Sequence, residues 1–373
     1  MNKDIKGKYV LGLFDGTSAG QIAIRDRLGI DVAKYYASEK DPYAIKIAQK
    51  NYPDTIQLGD INNWREWDID WQFIDIVMGG FPCQAWSVAG QQQGDRDPRG
   101  QLFWVMLDIM KHVMKCNPNA KYLMENVRMS NAFEKYITHH TEQALPNVNK
   151  YLINSSLVSA QNRKRFYWTN IILDEPQPKD RGIVLKDILE DGLTDRTKSH
   201  CLDANYFKGG NLKSYFEKHR RQLVFSDDKM CHVGDADLKG HDYVRRVYAA
   251  EGKSPSLCAS SGGNLEPKVL VKGARMVGRR LDASGTRKDN DKSIPIKQMI
   301  EVRDDDKTNC LTTVTKDSIL VENMSWRKLT PLECERLQTV PDGYTEGVSN
   351  TQRYKMLGNG WTVDVIAHIL KGI

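Results

Sequence analysis

A chain of 373 residues, 40% hydrophobic and 27% charged, can bury one large core or a large and a smaller one, and is too apolar to stay disordered. No run approaches the roughly 20 apolar residues that span a bilayer, and the opening Met1-Asn2-Lys3-Asp4 lacks the apolar stretch of a secretion signal, so a cytoplasmic, non-membrane protein is expected. Lys and Arg outnumber Asp and Glu by 54 to 48, an excess compatible with a polyanionic partner without requiring one. The seven cysteines are odd in number and form no CxxC pair, which argues against a disulfide framework and a zinc ribbon. Cys231-His232 has no second ligand pair at metal spacing, so no metal is expected.

The first half alternates strand-like and helix-like segments. Tyr9 to Phe14 is a short apolar run ending at the turn signal Asp15-Gly16, and an amphipathic stretch runs from Ser18 to Leu28. Val32 to Ser38 is the second strand. Asp41-Pro42 is an N-cap followed by proline at the first helical position, opening a helix to about Tyr52. Phe73 to Met78 is a third strand, stopped by Gly79-Gly80. Leu102 to Lys115 has a helical period, and Lys121 to Met124, Tyr151 to Val158 and Arg165 to Ile172 add strands. The alternation predicts an α/β domain with a largely parallel sheet.

The character changes near Pro176 and Pro178. Residues 179–322 hold 27 Lys and Arg against 23 Asp and Glu, so this span carries +4 of the net +6. Within it Ser254 to Ser260 and Thr308 to Val314 are weak echoes of each other, read as two short β segments. Helical patterning returns with Thr330-Pro331-Leu332-Glu333, a capping box, and with Val363 to Leu370. The predicted layout is residues 1–178 and 326–373 forming one α/β domain, with 179–325 inserted.

Chemistry concentrates at the strand ends. Phe14-Asp15-Gly16-Thr17-Ser18-Ala19-Gly20 puts small residues at a strand-to-helix turn, where a ligand can approach backbone N–H groups. Glu39 lies about 20 residues on, suited to ribose hydroxyls, and Asp60 follows a third short segment. Three acids in order at successive strand ends favour a nucleoside cofactor over solvated loops. Gly79-Gly80-Phe81-Pro82-Cys83-Gln84-Ala85-Trp86-Ser87 delivers an accessible thiol to the sheet edge where α/β ligands bind. A helix N-terminus or an arginine would be needed to lower its pKa. Glu125, in Glu125-Asn126-Val127, is either a solvated strand-end acid or a carboxyl that grips a base edge and manages its proton.

In order and spacing these motifs, with Gln161-Asn162-Arg163-Lys164-Arg165, Arg327 to Gln338 and Leu357-Gly358-Asn359-Gly360, resemble the cytosine-C5 DNA methyltransferases. The resemblance covers roughly residues 9–172 and 326–370. Phe-Asp-Gly in the first motif and Gly-Asn-Gly-Trp in the last are similar to the branch shared by phage and bacterial enzymes and the animal de novo methyltransferases. The last motif usually reads Gly-Asn-Ser-Val, so Gly360-Trp361 is a departure.

The resemblance implies a Rossmann-like, S-adenosylmethionine-dependent methyltransferase sheet flanked by helices, with an irregular β-rich target-recognition domain at 179–325. It also implies a mechanism: Cys83 adds to C6 of a cytosine flipped out of duplex DNA, C5 takes the methyl group, and loss of the C5 proton and of the thiolate restores the ring. Glu125 would hold N3 and the amino group, with Arg165 and Arg163 as cations beside the base. Phe14, Asp15, Gly16, Ser18, Ala19, Glu39, Asp60, Ile61, Pro82, Leu102 and Asn359 are implied around the cofactor. Gln84, Ser87, Arg96, Arg99 and Gln161 are implied on DNA, within or beyond a glycine-bearing loop from Gln84 to Gln101 that closes on the duplex. A monomer is expected, either an orphan enzyme or one with a separately encoded restriction endonuclease as partner. Two rivals stay open: an RNA (tRNA) methyltransferase of the same family, and an inactive DNA-binding regulator on the same fold. A nicotinamide enzyme is disfavoured by the glycine pattern.

Overall fold

The computed structural model describes residues 7–83, 86, 97–98, 100–209, 215, 218–225, 232–235, 246–249, 268–270, 272–280, 290–291, 293–294, 297–302, 319–321 and 326–373. The chain divides into two compact units. The larger comprises Met1–Glu190, Thr194–Leu223 and Lys328–Ile373, and the smaller Asp191–Leu193 and Val224–Arg327. Residues 179–190 and 194–223 thus pack with the α/β unit, and the sequence-based boundary at 179 falls inside it.

The larger unit is built on a seven-stranded sheet. Its strands are β1 (Lys8–Leu13), β2 (Val32–Ser38), β3 (Ile56–Gln57), β4 (Ile74–Gly80), β5 (Lys121–Val127), β6 (Asn149–Asn154) and β7 (Lys164–Thr169), in the order β3-β2-β1-β4-β5-β7-β6. Neighbours pair in parallel from β3 to β5, and β7 lies antiparallel between β5 and β6. Chain order reverses between β1 and β4, which opens a crevice at the carboxyl ends of these strands. Leu11, Leu13, Val77, Tyr122 and Met124 are buried in the sheet and pack with Phe103, Met106 and Met110 of α3 (Leu102–Cys116). Strands covered on both faces need such continuous apolar runs.

Local chemistry sets the helix ends. Asp41 caps α2 (Pro42–Asn51) by accepting from the Tyr43 N–H at 3.0 Å, with Pro42 at the first position. The Thr330–Glu333 capping box opens the helix Pro331–Leu337. Three features differ from the sequence expectations. After α1 (Ala19–Gln21) the predicted amphipathic helix continues as a π-helix, Ile22–Arg27. Gly79 and Gly80 extend β4 instead of stopping it. A side chain at Gly79 would lie 2.8 Å from the Leu13 carbonyl oxygen, so the glycines permit close strand contact. The helices α4 (Asn131–Ala144) and Asn350–Asn359 were not anticipated.

The smaller unit is β-rich. Lys268–Leu270, Arg246–Ala249 and His232–Asp235 form one three-stranded sheet, and Lys297–Val302, Lys272–Arg279 and Ile319–Val321 another. The echoes at 254–260 and 308–314 lie outside the described residues. Among the described residues no helix is long and apolar enough to cross a membrane, and no group of three potential ligands could hold a metal ion.

Candidate active site

Cys83 follows β4 by three residues and is half-buried. Its approach is fixed from both sides. The Asn126 Nδ2 donates to the Phe81 carbonyl at 3.1 Å, tying the exit of β4 to β5. Beyond the cysteine, the Trp86 N–H donates to the Cys83 carbonyl at 3.0 Å, and the buried Trp86 ring packs edge-on against Phe103 and Phe133.

Glu125 pairs with Gly80 across β4 and β5, which sets its carboxyl beside the thiol-bearing loop. On its other side β7 pairs Tyr167 with Glu125 and Arg165 with Val127. One pleat repeat therefore separates Arg165 from Glu125 on the same face, and Arg165 Nε lies 3.0 Å from Glu125 Oε1. Arg165 also donates to the Lys164 carbonyl at 3.0 Å and reaches the Cys201 sulfur at 3.8 Å. Burial works against its charge, but Cys201 and Glu125 outweigh that cost and hold its pKa up. Burial pushes the Cys83 thiol above its ordinary value; Arg165 pulls it down, Glu125 opposes, and Arg163 pulls it down again. Of the two devices expected to lower it, a helix N-terminus or an arginine, the arginine is present, yet desolvation wins.

The strands on the other side of the crevice carry acids. The Glu39 carboxylate accepts from the N–H groups of Gly16 at 2.9 Å and of Lys40 and Asp41 at 2.8 Å each. Ser38 Oγ donates to the Gly59 carbonyl at 2.9 Å, which ties the Asp60 turn to β2, and Asp60 caps the segment beginning at the buried Ile61. Gly16 and Gly59 have positive φ, and a side chain at either would meet nothing within 4 Å. Open space thus lies over both glycines, beside Glu39 and Asp60. Asp15 instead turns inward, accepting from Tyr35 Oη at 2.6 Å and from Ser18 Oγ, and burial raises its pKa to about 6.

The family model for C-5 cytosine-specific DNA methylases matches residues 9–373. The chain belongs to that family. Among relatives of this methylase, the orphan methyltransferase M.SPBetaI of Bacillus phage SPbeta is 25% identical over 97% of this chain and 96% of its own. The type II methyltransferase M.HpaII of Haemophilus parainfluenzae is 26% identical over 98% of this chain and 89% of its own. Among solved structures, the Entamoeba histolytica methyltransferase EhMeth superposes with a TM-score of 0.55 at 12% identity, covering 98% of this chain and 97% of that one. A mutant of Spodoptera frugiperda DNMT2 gives 0.51 at 17%, covering 98% of each. These likenesses establish a shared methyltransferase fold.

Within the methylase, several expected site residues take other places. Gln161, expected on DNA, is fully buried: its Nε2 donates to the Leu337 carbonyl at 3.0 Å and its Oε1 accepts from the Leu202 N–H at 2.9 Å. A side chain so enclosed and satisfied cannot reach a duplex, so its work is to dock the C-terminal segment. Arg163 is 3% exposed and donates to the carbonyls of Leu202 at 3.0 Å, Gly358 at 3.3 Å and Gly360 at 2.8 Å. Its fork is occupied by backbone, and it reaches Cys83 through charge alone. Ser18 and Ala19 are buried, and the Ser18 hydroxyl is turned onto Asp15. Phe14, with positive φ, Pro82 and Leu102 are half-buried at the crevice, and Asn359 is exposed at the end of its helix. Gln84, Ser87, Arg96 and Arg99, and most of the 84–101 loop, lie outside the described residues.

Two further side chains matter and were not singled out. Asn126 had a signal, because it directly follows Glu125. Cys201 had none: it sits 3.5 Å from Arg163 Nη1 and 3.8 Å from Arg165 Nη2, and although burial alone would raise its pKa, the two arginines lower it.

Proposed function

We propose that this chain transfers a methyl group from S-adenosylmethionine to C5 of a flipped-out cytosine in duplex DNA, through a covalent bond between Cys83 and C6. The observation that carries the reading is the Arg165–Glu125 ion pair held beside the Cys83 loop at the carboxyl edge of the sheet. Cys83 attacks C6 as the thiolate, which makes C5 nucleophilic. Glu125 grips N3 and the exocyclic amine, and its proton at N3 neutralises the charge that addition would otherwise leave on the ring. Arg165 stabilises both the thiolate and the Glu125 carboxylate. After C5 is substituted, its proton leaves and the sulfur is expelled, restoring the ring.

The donor set fits the cofactor. Beyond its three backbone donors, Glu39 retains acceptor capacity on Oε2 for one ribose hydroxyl. Gly16 and Gly59 leave room above them, and Glu39 and Asp60 suit a ligand carrying positive charge. Phe14, Gly16, Glu39, Asp60, Ile61, Pro82, Leu102 and Asn359 would hold it, and when bound S-adenosylmethionine supplies an electrophilic methyl group. Asp15, Ser18 and Ala19 act by shaping the loop.

Base readout is assigned to the smaller unit, within residues 179–325, and phosphate contact to the 84–101 loop with Arg96 and Arg99. The enzyme works as a cytoplasmic monomer. Relatives named both as orphan and as type II methyltransferases support an enzyme with a separate restriction partner or none.

Incubation with S-adenosylmethionine and mixed-sequence duplex DNA containing 5-fluorocytosine should leave a protein–DNA adduct that survives denaturation, and Cys83→Ser should abolish it. Methyl incorporation into DNA without any adduct would sink the covalent mechanism. Incorporation into tRNA and not DNA would favour the RNA reading.

A further inference from the structure

The C-terminal motif departs from the usual family pattern at Trp361, and this side chain points into the site. Its indole Nε1 donates to Glu125 Oε2 at 3.1 Å, across 236 positions of sequence. Arg165 holds the other oxygen, Oε1. Both oxygens of one buried carboxylate are therefore taken by donors from two different elements, which fixes the plane of the carboxyl as well as its place.

The neighbourhood is built around this contact. A side chain at Gly80 would sit 2.8 Å from Glu125 Oε2 and 3.0 Å from Trp361 Nε1, so the absence of one leaves the gap through which they meet. The backbone on either side of the tryptophan is pinned. The Gly360 carbonyl accepts from Arg163 Nη2 at 2.8 Å and from Gln338 Nε2 at 3.3 Å. Thr362 Oγ1 donates to Gln338 Oε1 at 2.9 Å and accepts from Ser155 Oγ at 2.9 Å. Arg163 immediately precedes β7 and Arg165 lies within it, so one short segment sets both donors on Glu125: Arg165 directly, and Trp361 through the clamp on Gly360.

We infer that Trp361 is a positioning residue for catalysis, whose indole N–H orients the Glu125 carboxyl toward the base edge before the cytosine arrives. This rests on the role of Glu125 proposed above. Fixing a gripping group in advance removes the cost of ordering it in the transition state.

Trp361→Phe keeps the ring and removes the donor. On unmethylated plasmid DNA with radiolabelled S-adenosylmethionine, kcat should fall roughly tenfold, the scale of one hydrogen bond to a charged group, with KM for DNA little changed. The 5-fluorocytosine adduct should also form more slowly at unchanged affinity for DNA, a split that loss of packing alone would not produce. Trp361→His, which retains a ring N–H, should recover part of the rate. Gly80→Ala reaches the same contact from the other side with Trp361 intact, and should lower kcat in the same way. Independently of turnover, the Trp361 indole N–H resonance in ¹⁵N-labelled protein, assigned by its loss in the Phe variant, should change position in Glu125→Gln, which removes its charged acceptor. Wild-type kcat in both Trp361→Phe and Gly80→Ala, or an indole resonance indifferent to Glu125→Gln, would overturn the inference. A wild-type protein that methylates nothing while its indole resonance still responds to Glu125→Gln would overturn the assigned reaction and the catalytic role resting on it, and leave the contact standing.

Discussion

Arg165 and Glu125 face each other across the antiparallel strands β7 and β5, Nε to Oε1 at 3.0 Å, with side chains only 13% and 11% exposed. A pair so enclosed contributes little net stability while it is whole, but removing one partner strands the other charge. Arg165→Leu should therefore cost about 3 kcal/mol or more in chemical denaturation, and should abolish the 5-fluorocytosine adduct. Adding Glu125→Gln to it should restore part of the stability and none of the activity. Additive losses would mean that the two residues do not share one interaction.

Cys83 reactivity should climb with pH beyond the range of an ordinary thiol. Burial raises its pKa against the pull of Arg165, so the thiolate is scarce at neutral pH. Iodoacetamide labelling of Cys83, followed by peptide mass spectrometry, should still be accelerating above the ordinary thiol value of about 8.5. Arg165→Leu should push that curve further upward. A plateau below neutrality would contradict the burial argument.

Arg163 should prove a structural clamp. Its guanidinium serves three backbone carbonyls at once, a geometry that a lysine ammonium cannot reproduce. Arg163→Lys should lower stability by about 2 kcal/mol and weaken methylation at all pH values alike. A Lys variant as stable as wild type would show that the clamp is dispensable.

Asp15 should make the α/β unit less stable as pH rises through 6. Its pKa goes from 3.8 to about 6 on folding, so the protonated form favours the folded state. That contribution is complete below 3.8 and is lost as pH rises through about 6, a full swing of about 3 kcal/mol at most. The difference in Tm between wild type and Asp15→Asn, followed from pH 4 to pH 8, should shift in favour of the variant as pH rises. A constant difference would place the ionisation of Asp15 elsewhere.

Periodicity and capping made most of the α/β unit legible. Val32–Ser38 and Val363–Leu370 have the bounds that their patterns predict, and Asp41 and Thr330 cap as their sequences require. Helix α4 carried its signals too, Ser130 at the N-cap and apolar positions 133, 137 and 144, but its polar face masked them. Glycine pairs misled: Gly79-Gly80 has the composition of a turn, and only the packing against Leu13 and Glu125 reveals a strand. In the site, identity was readable and allegiance was not. Gln161 and Arg163 stand in a motif beside Arg165, and nothing local distinguishes a side chain that faces substrate from one that faces backbone carbonyls. Trp361 lies too far from Glu125 in sequence for any local pattern to join them.

That separation has a consequence for how the protein is made. Cys83, Glu125 and Arg165 leave the ribosome well before the Gly358–Thr362 segment that Arg163, Gln338 and Ser155 hold in place. A nascent chain with its nucleophile already translated still has a half-furnished pocket, with Glu125 held on one side alone. Under the proposed mechanism competence would arrive late and all at once, so stalled or truncated products would be poorly equipped to form lasting bonds with the genome.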